Sequence, residues 1–275
     1  MPASVDGSTP RLLATSAGGA FHASADGGTT WEAIPLVDTN ETLRPPAAAL
    51  AVSPSDPQTM YIGWASSVCA LRVYRKCFDP QYGLFGLFRS RDGGRSWEQL
   101  NTPFARYSIT NMAVHPHEAE IVYAGTGQGL YLSRDGGNTW QPVTAVDDAA
   151  RNAGALNPDL ASRPAPVIYD VVFDPFDPQI LYVASEPGAV LRSRDGGATW
   201  EQVAIGMDPN EPVADLLPDP NRQGVIYAAS KFSGVFVSTD GADTWTSLVN
   251  GLERKDAQVL ALSQDGTVLY LGTAS

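Results

Sequence analysis

Basic residues are scarce in this chain. Eighteen Lys and Arg stand against 30 Asp and Glu, a formal net charge of −12. So acidic a chain lacks the positive face that a phosphate backbone requires, which excludes nucleic acid as the main partner. Cysteine is limited to two residues, too few for a disulfide-dense scaffold or a four-cysteine zinc cluster. No apolar run approaches the roughly 20 residues of a membrane span. The opening Met1-Pro2-Ala3-Ser4-Val5-Asp6 has neither the basic end nor the apolar stretch of a signal peptide. Phosphate-binding loops and nucleophile elbows are missing too, so no cofactor is expected. Disorder is excluded by 43% apolar and only 17% charged residues.

Turn formers, in contrast, are abundant. The 26 Gly and 21 Pro favour many short strands over long helices. One phrase recurs among them. Ser-x-Asp-x-Gly-x-Thr/Ser-Trp occurs at 24–31, 90–97, 133–140 and 193–200, and a fifth copy at 238–245 has Ala242 in the glycine place. The copies carry Asp26 and Trp31, Asp92 and Trp97, Asp135 and Trp140, Asp195 and Trp200, and Asp240 and Trp245. Two strand-like runs precede each later box. The first ends at a proline (50–54, 112–116, 171–175, 216–220). The second centres on Tyr61, Tyr123, Tyr182, Tyr227 and Tyr270, with Leu13 in the matching place near the start. A third run leads into the box, and the box tryptophan opens a fourth.

The unit is therefore four short strands, A to D, with the box in the C–D turn. Such a meander, repeated about every 43 residues, is the signature of a β-propeller blade. In the box, Asp accepts backbone N–H bonds, glycine permits positive φ, and the tryptophan buries roughly 150–250 Å². The predicted fold is all-β, a single propeller domain over 1–275 with blades near 11–35, 47–100, 109–143, 167–204 and 212–248 and a partial blade at 257–275. The predicted strands make five blades plus one strand. Either the ring closes by adding the last A strand to the first B–C–D set, or the chain is part of a six- or seven-bladed ring.

The phrase resembles the Asp-box, or bacterial neuraminidase repeat, of sialidases, xyloglucan hydrolases, sortilin-type receptors and photosystem II assembly factors. The Pro-x-x-Pro stretches at 54–63 and 175–184 resemble the sortilin and xyloglucanase branches most. The resemblance implies the fold over nearly the whole chain and selects no activity, because one fold hosts many.

Spacing locates two insertions. Tyr61 to Asp92 takes 31 residues where Tyr123 to Asp135 takes 12, which places an insertion at 66–85 in a B–C loop. Trp140 to Tyr182 takes 42 where Trp97 to Tyr123 takes 26, which places a second at 144–166 in a D–A loop. A meander puts A–B and C–D turns on one face and B–C and D–A loops on the other. Both insertions therefore fall opposite the boxes, and that loop face is the candidate functional face.

Aligning strand A on its proline brings Ala49, Asn111, Asp170, Asp215 and Val259 to one position, at the mouth of the central channel. Asp170 and Asp215 are the candidate acid and base for glycoside hydrolysis, with Asn111 as a ligand-binding neighbour. The competing reading is that each side chain bonds a nearby N–H and fixes the strand end. The first insertion holds Cys69 and Cys77, a disulfide candidate that points to an oxidising compartment. Trp64, Tyr74 and Tyr82 with Arg72 and Arg75 are candidates there for sugar stacking or a protein contact, or for a private core under the loop. Sialidases use an arginine triad. Arg44, Arg106 and Arg163 each fall in a D–A loop, but Leu43-Arg44-Pro45-Pro46 lacks the isoleucine of that family's Arg-Ile-Pro motif and no Tyr–Glu pair accompanies it. Xyloglucan hydrolases place their acids between two propellers, and this chain has room for one. His115-Pro116-His117 lies in an A–B turn and reads as a surface turn, so no metal is expected.

These residues favour a non-catalytic binding propeller, extracytoplasmic or secreted, with a glycan or protein partner on the loop face and no nucleic acid or membrane span. A glycoside hydrolase of the sialidase or xyloglucanase kind is the alternative, and a photosystem-type assembly factor the third.

Overall fold

The computed structural model describes residues 12–15, 21–34, 47–64, 86–104, 107–153, 165–186 and 189–273. Within them the chain is an all-β propeller of antiparallel blades. The first sheet has three strands, β1 (Leu12–Thr15), β2 (Phe21–Ser24) and β3 (Glu32–Ile34). Four four-stranded blades follow. They are β4 (Ala47–Val52), β5 (Met60–Trp64), β6 (Leu87–Ser90) and β7 (Glu98–Leu100); β8 (Ile109–Val114), β9 (Val122–Thr126), β10 (Gly129–Ser133) and β11 (Gln141–Pro142); β12 (Val167–Phe173), β13 (Leu181–Glu186), β14 (Ala189–Ser193) and β15 (Glu201–Gln202); and β16 (Val213–Pro218), β17 (Ile226–Ser230), β18 (Gly234–Ser238) and β19 (Thr246–Ser247). A two-stranded sheet, β20 (Ala257–Leu262) and β21 (Leu269–Thr273), ends the series. Because β20 pairs with β21, the closure that would add it to the first B–C–D set is not made among the described residues.

The box turn is a small hydrogen-bonded knot whose Ser–Asp–Thr/Ser wiring is the same in all five copies. In blade four Ser193 Oγ–H donates to Asp195 Oδ1 at 2.8 Å and accepts the Gly197 N–H at 2.9 Å. Asp195 then accepts the Thr199 N–H at 2.8 Å and the Thr199 hydroxyl at 2.6 Å. Trp200 closes the turn by donating its Nε1–H to the Gly197 carbonyl at 3.0 Å. Position 197 needs positive φ, and where the fifth copy has Ala242 the backbone still adopts φ 75°. In that copy Trp245 Nε1–H bonds the Val203 carbonyl at 2.6 Å. The Thr199 hydroxyl, followed by its N–H and the Ser193 hydroxyl, holds the Asp195 carboxyl down to about 2. The boxes differ in how well the tryptophan is covered: Trp140 and Trp245 are buried, whereas Trp31, in the three-stranded first sheet, is 44% exposed.

Each blade is also tied to the next. Tyr61 and Tyr123, buried in their strands, reach across the seam and donate their hydroxyls to Gly136 O (3.1 Å) and Gly196 O (2.9 Å) in the following box. Burial pushes both phenols up to about 12. Arg89 and Arg192, equally buried, donate to Gly136 O and Gly241 O and are neutralised by Glu98 and Glu201, each at 2.7 Å. Apolar clusters fill the seams between these pins. One joins Tyr182, Val190 and Val203 of blade four to Leu216, Phe236 and Trp245 of blade five.

Turns and loops segregate by face as a meander requires. Boxes bond A–B turns, as in Gly136 N–H to Glu120 O and Gly196 N–H to Gln179 O, both at 2.9 Å. B–C loops bond D–A loops, as in Gly127 N–H to Ser108 O at 3.0 Å and Gly129 N–H to Pro166 O at 2.8 Å. The second insertion contains a feature that blade periodicity does not reveal, the helix α1 (Thr144–Ala153). It seats Val146 and Ala150, both fully buried, in the cluster shared by blades three and four.

The buried box serine is the hinge of each turn. Ser193→Ala leaves the Gly197 N–H without its acceptor, and the expected cost is about 2 kcal/mol of unfolding free energy, read from the urea midpoint at constant m-value.

Candidate functional site

The inner strands carry a bulge at the loop-face end. Pairing slips between Ile109 and Asn111, Ile168 and Asp170, and Val213 and Asp215. A bulge frees ladder N–H groups and re-aims the side chain beside it. In this way Asn111, Asp170 and Asp215, from three successive blades, form one chain of hydrogen bonds. The Asn111 Nδ2–H donates to Asp170 Oδ1, which also accepts the Val171 N–H at 2.8 Å. Asp170 Oδ2 accepts the Leu216 N–H of the next inner strand at 2.7 Å. Asp215 Oδ2 repeats this one blade further, accepting the Leu260 N–H at 2.6 Å. The Asp170 and Asp215 carboxyls are close enough to act on each other's charge.

Two carboxyls in contact cannot both be ionised cheaply. Burial, and then the charge of Asp215, push the Asp170 carboxyl well up. Burial raises the Asp215 carboxyl as well, against the opposing pull of the Leu260 N–H. Acid and base in glycoside hydrolysis stand about 5–9.5 Å apart with the scissile bond between them. The two carboxyls instead lie beside each other, and both accept N–H groups of the inner strands.

Other sequence candidates fall elsewhere. Trp64 closes β5, and nothing further is described of its side chain. Arg44, Arg72, Tyr74, Arg75, Tyr82, Arg106, Arg163, Cys69 and Cys77 lie outside the described residues. No group of three or more His, Cys, Asp or Glu among the described residues could hold a metal ion.

Two features of the loop face carry little sequence signal. Asp147, in the first turn of α1, faces the rear of the Gly129 turn and is pushed up to about 6 by burial. Glu211, in the connection into β16, accepts the Ser230 hydroxyl, the Phe232 N–H at 2.7 Å and the Ser233 hydroxyl at 2.6 Å. The first would need the helix to be foreseen. The second binds a loop 21 residues further on, which no local pattern reveals.

On the opposite face His115 caps its turn. Its Nδ1 accepts the His117 N–H at 3.2 Å and the Glu118 N–H at 3.1 Å. Asp174 Oδ1 does the same in blade four with Phe176 and Asp177. A cavity of about 220 Å³ beside it is lined by Glu118, Tyr123, Arg134, Gln179 and Asp195.

The fold defines a β-propeller. No protein-family model matches the chain. A xyloglucanase from Paenibacillus sp is 29% identical over 175 residues, 56% of this chain and 16% of that protein. Among solved structures, an ancestral GH74 enzyme superposes with TM-score 0.67 at 20% identity, over 96% of this chain and 33% of its own. The extracellular domain of BT4673 from B. thetaiotaomicron gives 0.65 at 13% identity, over 98% and 31%. YCF48 bound to D1 peptide gives 0.54 at 15% identity, over 93% and 72%. The chain thus spans about a sixth of the xyloglucanase and a third of the ancestral enzyme.

Two outcomes follow from these contacts. Asp170→Ala orphans the Leu216 and Val171 N–H groups and the Asn111 amide, with an expected cost of about 3 kcal/mol in chemical denaturation. For His115, burial lowers the pKa, Glu118 opposes this and His117 adds to it. The unfolded chain therefore takes up the proton first, so stability is full above about pH 6.5 and falls as pH drops below it. His115→Asp, which keeps an acceptor in that place, is expected to flatten that part of the stability–pH profile between pH 7 and 5.

Proposed function

We propose that this chain is a non-catalytic binding propeller of the Asp-box kind, one domain over 1–275, that engages a glycan or a protein across its B–C/D–A loop face outside the cytoplasm. The observation that carries this reading is the use made of the channel-mouth carboxylates. Asp170 and Asp215 accept the Leu216 and Leu260 N–H groups of neighbouring blades, which commits both to holding the inner strands rather than to acid–base work. The likeness to a peptide-bound propeller and to an extracellular domain supports a binding role and that location. The xyloglucanase relative supports a glycan as the partner.

A glycoside hydrolase is the second reading, and one observation favours it. Asp147 lies on the loop face, half-buried, with a carboxyl lifted to about 6, the range suited to a general acid near neutral pH. Asp170 and Asp215 are its other candidate acids.

Product release from xyloglucan, other β-glucans and sialosides separates the two readings. The binding reading expects no release by folded protein, and the same silence from Asp147→Asn, Asp170→Asn and Asp215→Asn. Release by the parent that one of these variants abolishes establishes the hydrolase and identifies its acid.

A further inference from the structure

We infer that the B–C loop of the last complete blade, Lys231-Phe232-Ser233, is a pre-ordered aromatic platform that stacks against one ring of a neutral glycan. This rests on the binding reading above and names its ligand class and a contact residue. Phe232 is 72% exposed, yet its loop is held from both sides. On the outside, the Glu211 carboxylate accepts Ser230 Oγ–H, Phe232 N–H and Ser233 Oγ–H. Ser230 Oγ in turn accepts the Ser233 N–H at 3.3 Å, and the Lys231 N–H bonds the Pro212 carbonyl at 3.0 Å. On the channel side, Lys231 Nζ sits 3.6 Å from the centre of the Tyr169 ring. The Tyr169 hydroxyl is fixed in turn by Glu186 at 2.6 Å. The corresponding loops of the two preceding blades carry only Gly127-Gln128 and Pro187-Gly188.

A large apolar side chain held out in water by so many bonds is not explained by the core. A loop already fixed in one shape loses little freedom on binding, which is how pre-ordering converts into affinity. The surrounding charges decide the ligand. Lys231 is engaged by Tyr169 and faces Glu186, and the Glu211 carboxylate is engaged by three donors. Among the described residues an anionic ligand would therefore find no free cation beside the ring. A pyranose has an apolar C–H face for the ring and a belt of hydroxyls for the Ser233 and Glu211 oxygens at its edge. A protein anchor wants a desolvated pocket, and Phe232 stands proud of the surface.

Affinity electrophoresis through gels containing xyloglucan, mixed-linkage β-glucan or hydroxyethylcellulose tests this with the parent chain, Phe232→Ala, Phe232→Trp and Glu211→Gln. The parent is expected to be retarded by at least one polymer. Phe232→Ala should bind about tenfold more weakly at unchanged Tm, Phe232→Trp should retain binding, and Glu211→Gln should fall between parent and Phe232→Ala. Retardation of Phe232→Ala equal to the parent overturns the platform and leaves the glycan-binding reading standing. Parental affinity in Glu211→Gln overturns the pre-ordering. No retardation of folded parent by any polymer overturns the platform together with the glycan half of the reading, leaving a protein partner.

Discussion

The seam between blades is the constraint on which the rest of this structure depends. A four-stranded meander of 18 to 20 residues in strands cannot bury both of its faces alone. It becomes stable by lying against a neighbour, and polar groups decide the alignment. Tyrosine hydroxyls and arginine guanidinium groups from one blade find the glycine carbonyls of the next box. At the inner end, Asp170 and Asp215 perform the same service for strand N–H groups of the next blade, and Asn111 donates to Asp170. Buried donors without acceptors would cost more than the apolar contacts around them can spare, so the box turns and the inner carboxylates belong to one stabilising scheme.

That scheme bears on function because it occupies the residues that look most like chemistry. The five box aspartates are exposed or half-buried and acidic, but each is held by the hydroxyl and N–H of the Thr or Ser that follows it. Asp170 has the raised pKa expected of a catalytic acid, and burial followed by the charge of Asp215 accounts for it. The loop face is left as the place where side chains are not fully consumed by the fold. Phe232 and the half-buried Asp147 are both found there.

Much of this was legible in the sequence, for a physical reason. The box places all its partners within eight residues, so its wiring is a local property that repeats visibly. The strand order and the division into two faces follow from turn spacing alone. The alignment also brought Asn111, Asp170 and Asp215 to one level, since equivalent strand positions are equivalent in space. What it did not disclose was the direction of each bond. Whether a carboxylate meets a substrate or the Leu216 N–H depends on a bulge and on a neighbouring blade 46 residues away. The helix α1 was hidden because the insertion breaks the repeat that guided every other assignment. The Glu211 clasp on the Phe232 loop was hidden because its two halves belong to different connections.

The central claim is that the inner carboxylates couple blades. The most direct measurement is a carboxyl ¹³C NMR titration of Asp170 in the folded chain. The account predicts that Asp170 remains protonated well above the ordinary value of 3.8, through the range in which the box aspartates are fully ionised. An Asp170 that titrates near that ordinary value, as a solvated carboxylate does, would contradict it.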